Sequence, residues 1–138
     1  MLVTKNLKYE TRGNGQVLDI TSDVVRQLAS IPLRNGTVTL FVSGSTAGIT
    51  TIEYESGLIN DFSNLWERIA PRDIKYDHDA VWGESNGFSH VRASLLGPSL
   101  VVPVIDSVMA LGTWQQIVLI DFDHRSRTRE IILQFMGE

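Results

Sequence analysis

His78 and His90 lie twelve positions apart and are the side chains in this sequence best suited to chemistry near neutral pH. Imidazole exchanges a proton in that range and is the commonest metal ligand. His78 falls in the polar stretch Tyr76-Asp77-His78-Asp79, and His90 follows Asn86 at one helical turn. A loop folded back onto that helix would bring the two rings together. Their spacing matches no standard zinc signature, and two solvated surface histidines would give the same pattern.

Three further segments carry polar chemistry. Ser43-Gly44-Ser45-Thr46-Ala47-Gly48-Ile49-Thr50-Thr51 combines two glycines with a run of hydroxyls. Free amides and hydroxyls on a close-approaching backbone suit phosphate oxygens. No lysine follows the second glycine, so this is not a P-loop, and a plain turn between strands would use the same residues. Asp123-His124-Arg125-Ser126-Arg127-Thr128-Arg129 sets three arginines at alternate positions. On a strand they share one side, as forks for phosphate or carboxylate or as solvated protection of a sheet edge. In Leu111-Gly112-Thr113-Trp114-Gln115-Gln116, neighbouring Trp114 and Gln115 would face opposite sides of a strand. Trp114 is expected in the core and Gln115 in a cavity or interface.

Hydrophobic periodicity supplies the elements that must position these groups. Residues 2–9 alternate as a half-buried strand, and 37–43 are β-branched enough for a buried one. Thr21 and Ser22 are cap candidates for a short helix with Val24, Val25 and Leu28 on one face. Leu58, Ile59, Phe62, Leu65, Trp66 and Ile69 form a helical stripe over 56–70, with Ser56 as its cap. A polar loop, 72–85, leads to a helix over 87–96 that Asn86 can cap and that carries Phe88, Val91 and Leu95 on one face. Residues 100–104 read as a strand, and 113–123 with 127–135 as a closing hairpin. The expected fold is an α+β domain: a mixed, largely antiparallel β-sandwich with about three helices, spanning 1–138 as one domain.

Composition narrows the function classes. A net charge of −4 argues against a nucleic-acid backbone binder, though not against a basic pocket for an anionic metabolite. With no cysteine, thiolate metal sites, disulfides and cysteine nucleophiles are excluded. No apolar run is long enough for a membrane span or a signal peptide, which leaves a soluble cytoplasmic protein as the expectation.

In order along the chain, Ser45-Thr46-Ala47-Gly48-Ile49-Thr50 before Glu53, His78, Asn86 with His90, Leu95-Leu96-Gly97 with Val102-Pro103-Val104, Leu111-Gly112-Thr113-Trp114-Gln115, and the closing arginine-rich segment together resemble the YjbQ family. That family is also called uncharacterised protein family 0047, or the secondary thiamine-phosphate synthase family. The resemblance implies a homotrimer with sites at or near subunit interfaces. It implies thiamine-phosphate synthase activity, joining an aminopyrimidine diphosphate to a thiazole phosphate with release of pyrophosphate. It assigns catalysis to His90, Asn86 and Glu53, and the small phosphorylated substrate to Ser45, Thr46, Gln115 and Arg127. It places a divalent metal, zinc or magnesium, at His78 and His90. Neither nucleic acid nor membrane is an expected partner.

Two departures from the family pattern stand out. The usual His-Thr-Thr-Ala reads Gly44-Ser45-Thr46-Ala47, so an imidazole is missing, and the usual Gly-Pro-Arg turn reads His124-Arg125-Ser126-Arg127. Arg127, or else Arg125, then matches the family's arginine. Glu53 or Asp79 could complete a metal site built on two histidines, and His124 could replace the lost ring. A non-catalytic homotrimer that binds metal or a phosphometabolite is the alternative function.

Overall fold

The computed structural model describes residues 1–83 and 85–138. Two antiparallel sheets pack face to face. The larger contains β1 (Leu2–Thr11), β8 (Arg127–Gly137), β3 (Gly36–Val42), β5 (Ser99–Ile105) and β6 (Val108–Met109), in that spatial order. The smaller contains β2 (Gln16–Asp19), β7 (Gln116–Asp121) and β4 (Ala47–Ile52). Among the described residues every strand pairing is antiparallel.

Strand periodicity builds the layers. Val38, Leu40, Val42, Ile131, Leu133 and Phe135 point from the large sheet into a core shared with Ile117 and Leu119 of the small one. Helix α1 (Thr21–Ala29) closes that core with Val24 and Leu28. The alternate residues of the small sheet, Val118 and Ile120, then Phe122, face the other way. They meet Trp66 of α2 (Ser56–Ile69) and Ala93 of α4 (Gly87–Leu96). β7 is therefore apolar on both faces, which explains its unbroken Ile-Val-Leu-Ile run.

Several local expectations are corrected. Residues 113–123 and 127–135 do not form a hairpin: β7 and β8 belong to different sheets, and the segment between them turns the corner. β8 is an interior strand, so its arginines do not protect an edge. Trp114 lies in a turn before β7, where no apolar layer covers it, and is 70% exposed. The 72–85 loop contains a fourth helix, α3 (Asp77–Trp82). Val25, Ile69, Val91 and Leu95 are exposed because each helix touches the sheets along a narrower stripe than its apolar residues span. Glu55, not Ser56, caps α2, accepting from Gly57 N at 2.8 Å and Leu58 N at 2.6 Å. Thr21 and Ser22 lie inside α1, after the capping position at Ile20.

Candidate functional site

The beginning of α4 is where the distant polar segments meet. Asn86 precedes this helix but makes no side-chain capping bond. The capping carboxylate comes from α3: Asp79 Oδ1 accepts from Gly87 N at 2.8 Å. Gly87 also admits Tyr76, because a Cβ there would lie 2.5 Å from the Tyr76 Cβ. Any larger residue would push the polar loop off the helix. With the loop held down, the His78 and His90 rings sit 4.4 Å apart between centroids, tilted by 54°.

A cavity of about 540 Å³ opens beside these rings. His78, His90 and Asn86 line one side, and Ser45 and Thr46 line another with Gly44. Arg127 and Arg129 enter from β8, and Trp82 reaches in from the end of α3. The turn before β4, two helices and the corner between sheets thus converge on one polar space. Glu53 and Gln115 do not share it. They line a separate depression of about 500 Å³ beside Trp114. There Gln115 donates to Thr51 Oγ1 at 3.0 Å and accepts from Gly112 N at 3.0 Å.

Beneath the cavity lies a buried charge network that the sequence reading did not assign. Arg129 donates from Nε to Asp121 Oδ2 at 2.7 Å and from Nη2 to Asp121 Oδ1 at 2.8 Å. Its Nη2 also reaches Thr46 Oγ1 at 2.6 Å. Asp121 further accepts from Thr11 Oγ1 at 2.5 Å and from Asp123 N at 3.0 Å. Asp123 accepts from Arg127 Nε at 2.8 Å and from Thr46 Oγ1 at 3.0 Å, and it meets His124 Nδ1 at 2.8 Å. Burial alone would raise the Asp123 carboxyl, but hydrogen bonds from His124, Arg127 and Thr46 outweigh it and hold the group well below the usual carboxylate range. The signal was present in the sequence. Asp121 and Asp123 alternate at the end of one apolar run, and Arg127 and Arg129 alternate at the start of the next, so each pair lies on one side of its strand.

The geometry gives the polar groups distinct capacities. Thr46 is fixed by two charged partners and cannot rotate freely. Arg127 is anchored through Nε, with its guanidinium at the cavity wall. Asn86 Oδ1 is buried and has no hydrogen-bond partner among the described residues, so an incoming donor could satisfy it. Gly44 leaves room for the Arg129 guanidinium: a Cβ there would stand 2.6 Å from Nη1. His124 is held on Asp123 and does not line the cavity.

A zinc centre needs three or more protein ligands. His78 and His90 are two, and Asp79 is engaged with the start of α4. Among the described residues no group of three or more His, Cys, Asp and Glu side chains converges. No helix is long and apolar enough to cross a membrane, among the described residues.

The same fold occurs in solved structures. A YbjQ-like protein of unknown function from Sulfolobus solfataricus P2 superposes with a TM-score of 0.90 at 26% identity, over 100% of both chains. A hypothetical protein from Aeropyrum pernix K1 gives 0.91 at 29% identity over 99% of each. In sequence, a UPF0047 protein of Methanothermobacter thermautotrophicus is 39% identical over 135 residues, covering 98% of this chain and 92% of its own. UPF0047 protein YjbQ of Escherichia coli O157:H7 is 31% identical over 140 residues and 100% of both. The family model described as UPF0047 protein YjbQ-like matches residues 5–138, from the first strand through the histidine cavity to the last residue, and the chain belongs to that family.

Proposed function

We propose that the histidine cavity binds a small phosphorylated metabolite, and that the chain acts there as a cytoplasmic synthase of the thiamine-phosphate type. The observation that carries this reading is the convergence of Ser45, Thr46, His78, Asn86, His90 and Arg127 on one cavity from four separate segments. The volume is in the range of metabolite sites. Ser45, Thr46 and Arg127 would hold phosphate oxygens. Asn86 Oδ1, buried and without a partner among the described residues, would accept from the exocyclic amino group of an aminopyrimidine. Exposed Trp82 would stack on its ring.

In the reaction, a bond forms between the thiazole nitrogen and the carbon that bears the diphosphate. The carbon–oxygen bond breaks, and pyrophosphate leaves with the electron pair. Negative charge grows on the leaving group, so the cations at the wall and a protonated His90 would stabilise it. Purified protein should form thiamine phosphate from the two precursors, and His90→Ala should return the rate to background. Equal background rates for wild type and variant would defeat the catalytic reading.

A second reading is a homotrimer that binds a phosphometabolite without turnover. Gly44 favours it, since Arg129 occupies the neighbourhood of that position where the resemblance puts an imidazole. Self-association has support in the outer face of the large sheet, where Leu2, Phe41, Val101, Ile105 and Met136 are exposed. Sedimentation equilibrium together with the synthase assay separates the readings: a trimer that binds pyrophosphate but forms no product supports the second.

A further inference from the structure

We propose that a second cavity, on the opposite side of α4 from the histidine site, binds a small organic anion with a flat apolar body. Two positions along a helix are about 200° apart, so His90 and Arg92 face opposite ways. Arg92 points into the layer between α2 and the small sheet, where a cavity of about 440 Å³ opens. Its apolar walls are Val17, Ile59, Phe62, Trp66 and Ile120, and its charged lining residues are Arg72 and Arg92. Among the described residues no carboxylate lines it.

Among the described residues one buried donor lacks an acceptor, and a second meets its only acceptor as an ion pair. Trp66 is 6% exposed, and its Nε1 has no hydrogen-bond partner among the described residues. Arg92 is 3% exposed; its Nε donates to Ala70 O at 2.9 Å. Its Nη2 lies 3.0 Å from Glu67 Oε1, close enough for an ion pair but off the hydrogen-bonding direction. Arg72 shares that same carboxylate through Nε at 2.9 Å. Two guanidiniums on one carboxylate leave one positive charge over. Both also lie over the Phe88 ring, with Cζ of Arg72 at 5.2 Å and of Arg92 at 5.0 Å from its centroid. Buried donors without acceptors are costly, and an anionic oxygen in this cavity would supply one. The aromatic and aliphatic walls select a flat apolar body behind that charge. A carboxylate and a phosphate head group share this chemistry.

The test follows the indole N–H signal of Trp66 in ¹⁵N-labelled protein, assigned by its loss in Trp66→Phe. Indole-3-carboxylate and phenyl phosphate are the anionic probes, and indole-3-carboxamide is the neutral one. An anionic probe should shift the Trp66 signal, with the carboxamide at least about tenfold weaker. Tighter binding of either acid supports the proposal and names the head group. Arg72→Ala, at a side chain 45% exposed, should weaken binding about fivefold without unfolding the chain. Ser63→Trp, from the exposed wall, should abolish binding by filling the space. Pyrophosphate binding at the histidine cavity should survive both changes, so failure here is distinct from failure there. An unshifted Trp66 signal at about 10 mM probe, equal binding of acid and carboxamide, or undiminished binding in Ser63→Trp would overturn the proposal.

Discussion

Replacing Arg129 by Met is the most informative single change to the charge network. The side chains of Arg129 and Asp121 are 7% and 0% exposed, and two charge-assisted hydrogen bonds join them. Met approximates the aliphatic length of Arg, so the packing loss is small and the charge loss dominates. Asp121 would keep Thr11 Oγ1 and the Asp123 amide but lose both charged donors. Stranding a buried charge in this way costs about 3–5 kcal/mol. For 138 residues that corresponds to a fall in Tm of roughly 10–17 °C. Differential scanning calorimetry at neutral pH reads it directly. The companion double variant, Asp121→Leu with Arg129→Met, removes both charges and should recover most of the lost stability. It should not recover ligand binding, because Thr46 loses the donor that fixes it. A loss below about 1 kcal/mol in Arg129→Met would refute the claim that this pair organises the site.

Other perturbations have defined outcomes. The folded Asp123 carboxyl titrates below its unfolded value, so its contribution to stability is complete above the unfolded pKa of about 3.9. Acid unfolding monitored by circular dichroism should therefore steepen as pH falls below about 4, and Asp123→Asn should flatten that limb. Asp79→Ala removes the acceptor for Gly87 N and should cost about 1 kcal/mol while separating His78 from His90, visible as a change in their NMR titration curves. Gly44→Ala forces a contact with Arg129 Nη1 and should lower stability by about 1–3 kcal/mol in urea denaturation. Zinc titration should show only weak binding by wild type that vanishes in His90→Ala, because one chain brings two imidazoles together.

The fold was legible wherever one periodicity dominated. The alternation in 2–9 and the β-branched run after Gly36 mark β1 and β3 correctly. The corner between β7 and β8 was not legible, since a turn rich in polar residues can close a hairpin or transfer the chain to another sheet. Trp114 misled because size and aromaticity indicate burial, whereas its place in a turn decides exposure. At the site, residue types pointed to His78, His90, Asn86, Ser45, Thr46 and Arg127, which the fold gathers. Glu53 came with the family pattern and Gln115 with that pattern and with its strand spacing, and one chain places both in a separate depression. Asp121 carried no expectation, and the arginines that include Arg129 could be forks for an anion or protection of an edge, because nothing local tells an edge strand from an interior one. Once β8 is interior, the same residues have to pair with one another.

Isothermal titration of pyrophosphate into wild type, Arg127→Gln and His90→Ala tests the central claim most directly. The histidine cavity as an anion site predicts saturable binding by wild type and a loss of about tenfold or more in each variant, measured at a temperature where circular dichroism shows all three proteins folded. Identical titrations for all three proteins, or no binding by wild type, would contradict it.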